Sequence, residues 1–100
     1  MKPVRIARSA QADLEAGYDW SRQNWGEMHA RAYFEGLRGA IEGLSETPSA
    51  WPAADDVRPG LRKMVWRSHT VYFRETKIEI QVLAILHGRR DAGAALESRN

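Results

Sequence analysis

A histidine, two arginines and a carboxylate stand together near the end of this 100-residue sequence, where His87, Arg89, Arg90 and Asp91 follow an apolar run, Ile80 to Leu86. An imidazole titrates near neutral pH, and guanidinium groups bind phosphates and carboxylates through paired hydrogen bonds. Such groups at a strand end could be the core of a ribonuclease site. They could equally hold a protein partner, or simply complete a fold.

Positive charge is concentrated in the second half of the chain. Residues 1–50 carry six Lys or Arg and seven Asp or Glu, whereas residues 57–100 carry nine and four. Asp55 and Asp56 lie between these segments and bring the net charge to +2. An arginine-rich composition alone is also typical of a high-GC genome. Its concentration in one half favours an acidic partner segment or a nucleic-acid complex.

The composition excludes several classes of site. The chain contains no cysteine, which rules out disulfides, thiolate metal sites and cysteine nucleophiles. Its three histidines share no ligand spacing, so we expect neither a metal nor a cofactor. No run approaches 18 apolar residues, and the N-terminus lacks the apolar core of a signal peptide. We therefore expect a single cytoplasmic domain over residues 1–100, without membrane contact.

Hydrophobic periodicity predicts the order β-α-α-β-β-β, followed by a short helix from about Asp91. This is an α+β fold in which an antiparallel-rich sheet packs on an α-helical hairpin. Ser9 is the expected cap of the first helix, and Trp25-Gly26 is the break between the two helices. The predicted bounds are 2–7 for the first strand, Ala10 to Asn24 and Glu27 to Ser45 for the helices, 47–60 for a proline-rich loop and 61–86 for three strands in a meander.

Several side chains have simple structural interpretations. Asp13, Glu15 and Asp19 are expected on a solvated helix face. Trp25 is expected to fill the gap at the helix turn, and Asp91 to cap the tail helix. His29 is expected to face water and His69 to make a structural hydrogen bond. Trp51 is interpreted either as an exposed anchor for a partner or as a side chain folded onto the core.

The last strand has two apolar faces. Leu83 and Ile85 have the opposite parity from Val82, Ala84 and Leu86, and a helical hairpin covers only one face of a sheet. The second face therefore needs a cover near the end of this strand. The tail, through Ala92, Ala95 and Leu96, could supply it, as could Trp66, Trp51 or a partner protein. An apolar face rimmed by arginines is typical of a binding surface.

Four segments together resemble the RelE/ParE superfamily of bacterial toxins, and within it the ParE branch. They match the family's two helices, its paired strands and its last strand, in order and with matching spacing, over nearly the whole chain. The segments are SAQADLEAGYDW with NWG (9–20 and 24–26), ARAYFEGLRGAIEGLSETP (30–48), VRPGLRKMVWRSHTVYFR (57–74) and IEIQVLAILHGRRD (78–91).

The resemblance implies the toxin of a type II toxin–antitoxin pair, with a ParD-like antitoxin as its partner. ParE-like toxins are associated with poisoning DNA gyrase by binding, without enzymatic cleavage. The implied DNA contact of such a pair belongs to the antitoxin, so we expect no sequence-specific DNA binding by this chain. RelE-like relatives cleave mRNA in the ribosome and use basic residues on the sheet with a C-terminal tyrosine. The tail after Asp91 contains no tyrosine, which disfavours that alternative.

Two functional interpretations remain open, with an inactive member retained for repression as a third. In the first, the chain acts by binding. In the second, it is an mRNA endonuclease that uses Arg62, Arg74 and His87. For the first, the residues expected to contact antitoxin or target are Arg58, Arg62, Arg67, Arg74, Leu83, Ile85, His87, Arg89 and Arg90.

Overall fold

A computed structural model describes residues 1–88, 90–97 and 99, and has the predicted order of elements. One sheet and a helical hairpin make up most of the chain, and a short helix follows the last strand. The elements are β1 (Val4–Ile6), α1 (Arg8–Trp25), α2 (Glu27–Glu42), β2 (Arg62–Trp66), β3 (His69–Glu75), β4 (Ile80–His87) and α3 (Ala92–Leu96), with 3₁₀ turns at Gly43–Ser45 and Pro48–Ala50.

The two long helices form the predicted antiparallel hairpin. Gly26 joins them with a φ of 92°, a conformation that favours glycine. The apolar stripe of α2 and the following turn is buried through Ala30, Leu37, Ile41 and Leu44. The expectation that Trp25 fills the turn is wrong, since its side chain is 64% exposed.

Helix α1 begins earlier than predicted, and Ser9 is not its cap. The N-cap position is Ala7, which makes no side-chain cap bond. The Ser9 hydroxyl instead donates to the carbonyl of Leu83 at 3.2 Å. A serine near a helix start can be recruited by a neighbouring strand that has an unpaired carbonyl.

The sheet has the order β1-β4-β3-β2 and is antiparallel apart from one pair. β1 pairs in parallel with β4, while β4–β3 and β3–β2 are antiparallel. The prediction of strand at Ile78 is wrong, because this residue lies in the turn before β4 and is 75% exposed. The Thr76 hydroxyl accepts from the Ile78 and Glu79 amides there.

A β-bulge divides β4 into two halves of opposite parity. Tyr72 pairs with Ala84 and Phe73 with Val82, so Leu83 is an extra residue on β4. Val82 and Ile85 consequently share the core under the helices, whereas Leu83 lies with Ala84 and Leu86 on the other face. The prediction that Leu83 and Ile85 share a face is therefore wrong, because strict alternation fails across a bulge.

The second face of the sheet is covered by the chain itself. Ala92 and Leu96 of α3 pack there, as predicted for the tail, together with Ala54 and Leu61 of the long loop. Trp51 and Trp66 pack instead against the core on the helix side, so the prediction that they could cover the second face is wrong. Trp51 is half-buried and is not a free anchor.

The tail helix begins as predicted. The Asp91 carboxylate accepts from the Ala94 amide at 3.2 Å and caps α3. Among the described residues, no helix combines the length and the apolar composition needed to cross a bilayer.

Candidate binding groove at the end of the sheet

A groove of about 520 Å³ lies where the β2–β3 turn and the end of β4 meet the hairpin. This size is typical of small-ligand and side-chain pockets. The geometry follows from the strand pairing, which puts His69 opposite His87 at this end of the sheet. We call this groove the Trp groove. It is lined by Gly17, Trp20, Ser21 and Trp25 of α1, His29 and Tyr33 of α2, and Ser68, His69 and His87 of the sheet end.

The floor of the Trp groove is a hydrogen-bonded chain of three groups. The Ser68 amide donates to the Tyr33 hydroxyl at 3.2 Å, and this hydroxyl lies 2.7 Å from His69 Nδ1. All three groups are satisfied if Tyr33 donates to Nδ1, because its oxygen already accepts from Ser68. The neutral His69 ring then carries its proton on Nε2. This confirms the prediction of a structural hydrogen bond at His69.

Burial and, to a lesser extent, the neighbouring His87 together lower the pKa of His69 to about 4. The two rings meet edge to face with centroids 5.2 Å apart. His69 is 9% exposed, whereas His87 is exposed. At neutral pH the floor therefore presents an uncharged imidazole.

Apolar surface forms the outer part of the groove. Trp20 and Trp25 are 58% and 64% exposed, and the Trp25 ring lies 6.1 Å from that of His29. His29 is exposed, as predicted. Aromatic residues that are open to solvent beside a concave surface are common at the energetic centres of interfaces.

The predicted arginines do not converge on one site. Arg58 lies on the second face and donates to the Leu96 carbonyl and, at 2.8 Å, to the Arg99 carbonyl, so it holds the tail. Arg62 donates to the Trp51 carbonyl at 2.7 Å, and Arg74 donates to Gln81 Oε1 at 2.6 Å.

The end of the sheet with the Trp groove carries two more of the predicted arginines, Arg67 and Arg90. Arg67 lies in the β2–β3 turn with a φ of 52°, and its guanidinium lies 5.0 Å from the centre of the Trp66 ring. Arg90 is exposed, and its amide donates to the His87 carbonyl at 3.2 Å. Arg89 lies outside the described residues.

Leu83 and Ile85 are not accessible as contact residues in this structure. Their side chains are 4% and 3% exposed. Leu83 is covered by the tail and Ile85 by the hairpin, because the bulge at Leu83 puts these two side chains on opposite faces of the sheet.

A buried ion pair at the bulge was missed by sequence reasoning. The Asp13 carboxylate accepts hydrogen bonds from two guanidinium nitrogens of Arg99, at 2.8 and 3.0 Å, and from the Ile85 amide at 3.0 Å. Arg99 also donates to the Leu83 carbonyl at 3.2 Å. The prediction that Asp13 is solvated is wrong, whereas Glu15 and Asp19 are exposed as expected. Helical periodicity shows which stripe faces the sheet but not that a bulge leaves backbone groups to be satisfied.

The groove offers recognition more readily than reaction chemistry. Its lining contains neither lysine nor arginine to hold a phosphate, and its buried imidazole has a pKa far from neutrality. Within residues 1–88, 90–97 and 99, no group of three or more His, Asp or Glu side chains could hold a metal ion.

Comparison with known proteins is consistent across sequence and fold. Residues 4–92 match the family model described as the ParE toxin of the type II toxin–antitoxin system parDE. A protein named Toxin ParE1 from Caulobacter vibrioides is 33% identical over 96 residues, covering 96% of this chain and 99% of that protein. A protein of the same name from Mycobacterium tuberculosis is 37% identical over 87 residues, covering 86% and 89%. A solved chain of the chromosomal ParDE system from P. aeruginosa superposes with a TM-score of 0.80 at 24% identity, over 89% of this chain and 98% of that chain.

Proposed function

The chain belongs to the ParE toxin family of type II toxin–antitoxin systems, and on that premise we propose that it inhibits DNA gyrase by binding and is neutralised by a ParD-like antitoxin. Both proposed partners act in the cytoplasm, which is where we place the chain. The proposal makes it a non-enzymatic toxin, whose action depends on surface complementarity rather than on a reacting centre.

The separation of the cationic and imidazole groups carries the proposal. Arg74 and His69 are five residues apart on β3, or about 17 Å at the usual rise of a strand. Arg62 is opposite Phe73, at the same end of the sheet as Arg74, whereas His87 is opposite His69. A general acid or base must lie within about 3 Å of the proton that it transfers. Arg62, Arg74 and His87 are thus too far apart to act on one scissile phosphate.

Arg62 and Arg74, which the endonuclease interpretation assigns to catalysis, make hydrogen bonds to groups of the fold instead. Arg62 and Arg74 each donate to a group within the sheet or its covering loop. Buried or half-buried guanidinium groups with such partners are already committed to stability. Among the arginines predicted to contact a partner, Arg67 and Arg90 are exposed and are suited to contacts with a negatively charged partner.

A supercoiling assay tests the proposal. Purified chain should inhibit DNA supercoiling by gyrase, and the antitoxin encoded beside its gene should relieve that inhibition. The matched measurement is cleavage of mRNA on translating ribosomes with the same preparation. Growth arrest on expression together with normal supercoiling would contradict gyrase as the target, and mRNA cleavage would establish the endonuclease alternative. If the chain neither arrests growth nor inhibits supercoiling, the result would favour an inactive member retained for repression.

A further inference from the structure

The Trp groove combines exposed apolar walls with a polar floor. Trp20 and Trp25 lie on the last two turns of α1 and line the groove. Both are more than half exposed although they border a concave surface. Two tryptophans exposed in this way leave a large apolar area in contact with water, and a side chain bound between them would bury that area.

The floor of this groove presents one hydrogen-bond donor without a partner. Among the described residues no group bonds to His69 Nε2, while Nδ1 is occupied by Tyr33. No buried side-chain nitrogen or oxygen of these residues lacks a partner, so Nε2 must be accessible from the groove. His69 as a whole residue is only 9% exposed, and an accessible N–H at the base of an apolar pocket selects an acceptor.

The electrostatic environment selects an acidic occupant. The lining of the Trp groove contains no carboxylate, and Arg67 and Arg90 lie at the same end of the sheet. Another groove, about 440 Å³ between α1 and α2, has three carboxylates in its lining, Glu15, Asp19 and Glu35, against two arginines, Arg31 and Arg38. A carboxylate that enters the Trp groove meets no such like charge in the lining and has Arg67 and Arg90 at the same end of the sheet, which favours this groove for an acidic segment.

We propose that the Trp groove is the anchoring site for an acidic segment of the antitoxin. An aromatic or branched aliphatic side chain of that segment lies between Trp20 and Trp25. A neighbouring carboxylate accepts the hydrogen of His69 Nε2. The identity of the partner rests on the function proposed above, whereas the chemistry of the occupant rests on the groove.

Isothermal titration calorimetry with the antitoxin encoded beside the gene tests this site. The double variant W20A/W25A should bind at least tenfold more weakly than the unaltered chain, because both walls of the pocket are lost. M28A is the matched control, since Met28 is an apolar side chain of α2 that is 87% exposed and does not line the groove. It should change the affinity less than threefold. A loss below tenfold in the double variant, with its circular dichroism unchanged, would overturn the proposal.

A second measurement tests the polar contact. In ¹⁵N-labelled toxin, the Nε2 resonance of His69 should shift when the antitoxin is added, and an unchanged resonance would overturn the assigned carboxylate contact. Full binding by W20A/W25A would overturn only the groove and would leave the toxin–antitoxin function standing. If the unaltered chain does not bind the antitoxin, both proposals fail. W20A/W25A that escapes the antitoxin but still inhibits gyrase would place the groove in neutralisation.

Discussion

Replacement of Asp13 by alanine should be among the most destabilising single changes on α1. The carboxylate holds Arg99 through two hydrogen bonds and accepts the Ile85 amide. The side chains of Arg99 and Asp13 are 15% and 9% exposed, so water cannot replace the lost contacts fully. Removing one partner of a buried ion pair costs about 3–5 kcal/mol.

The whole domain has only about 5–15 kcal/mol of stability, so this loss is a large fraction of it. We expect D13A to lower the free energy of unfolding by about 3–4 kcal/mol, as measured by urea denaturation with circular dichroism. For a domain of this size each kcal/mol lowers Tm by about 4–8 °C. D13N retains an oxygen for the Ile85 amide and loses the charge, so we expect an intermediate loss.

The control for this prediction is an exposed ion pair on the hairpin. Arg31 lies 3.6 Å from Glu27, and the two side chains are 65% and 56% exposed. Surface pairs of this kind contribute about 0.2–1 kcal/mol, so R31A should change stability little. If D13A loses less than about 1 kcal/mol, the buried network does not stabilise the bulge, and the reasoning is refuted.

Three further predictions concern the packing and titration of this fold. G39A should raise the unfolding free energy by about 0.5–1 kcal/mol, because a Cβ at Gly39 would have no atom within 4 Å. G36A should be less stable than G39A by about 1–3 kcal/mol, because a Cβ at Gly36 would lie 2.9 Å from the Trp66 ring. Equal shifts in Tm for the two variants would contradict this packing. Because the folded-state pKa of His69 is lowered to about 4 from an ordinary 6.5, the unfolded chain takes up the proton first, and the stability contributed by His69 should be present above pH 6.5 and fall by about 3 kcal/mol as the pH drops to 4. H69Q should lose this dependence in urea titrations, and an identical slope in the variant would refute it. R58A should speed amide exchange in the tail, because Arg58 holds the Leu96 carbonyl at the end of α3 and the Arg99 carbonyl after it, and should leave exchange in α2 unchanged. Uniform acceleration of both would show global destabilisation instead.

Periodicity was sufficient for the fold and insufficient for the site. The stripe of α2 and the alternation in β3 give the correct elements because each has one buried face and a regular period. β4 misled the assignment of Ile85, since a single extra residue reverses every later side chain. Asp13 and Arg99 bond to each other although most of the chain separates them in sequence, and no local pattern relates them.

The pairing of the first strand with the last also limits how early the chain becomes functional. Val4 is opposite Ile80 in the parallel pair, so the N-terminal strand has no place in the sheet until residues 80–87 have been synthesised. A contact over such a sequence separation has a large loop-closure entropy and forms slowly. Before β4 is available, the chain can form the helical hairpin and pair β2 with β3, but it cannot complete the four-stranded sheet. The end of the sheet where His69 pairs with His87 is thus assembled only after β4 has been synthesised, so the Trp groove is among the last parts of the fold to be completed.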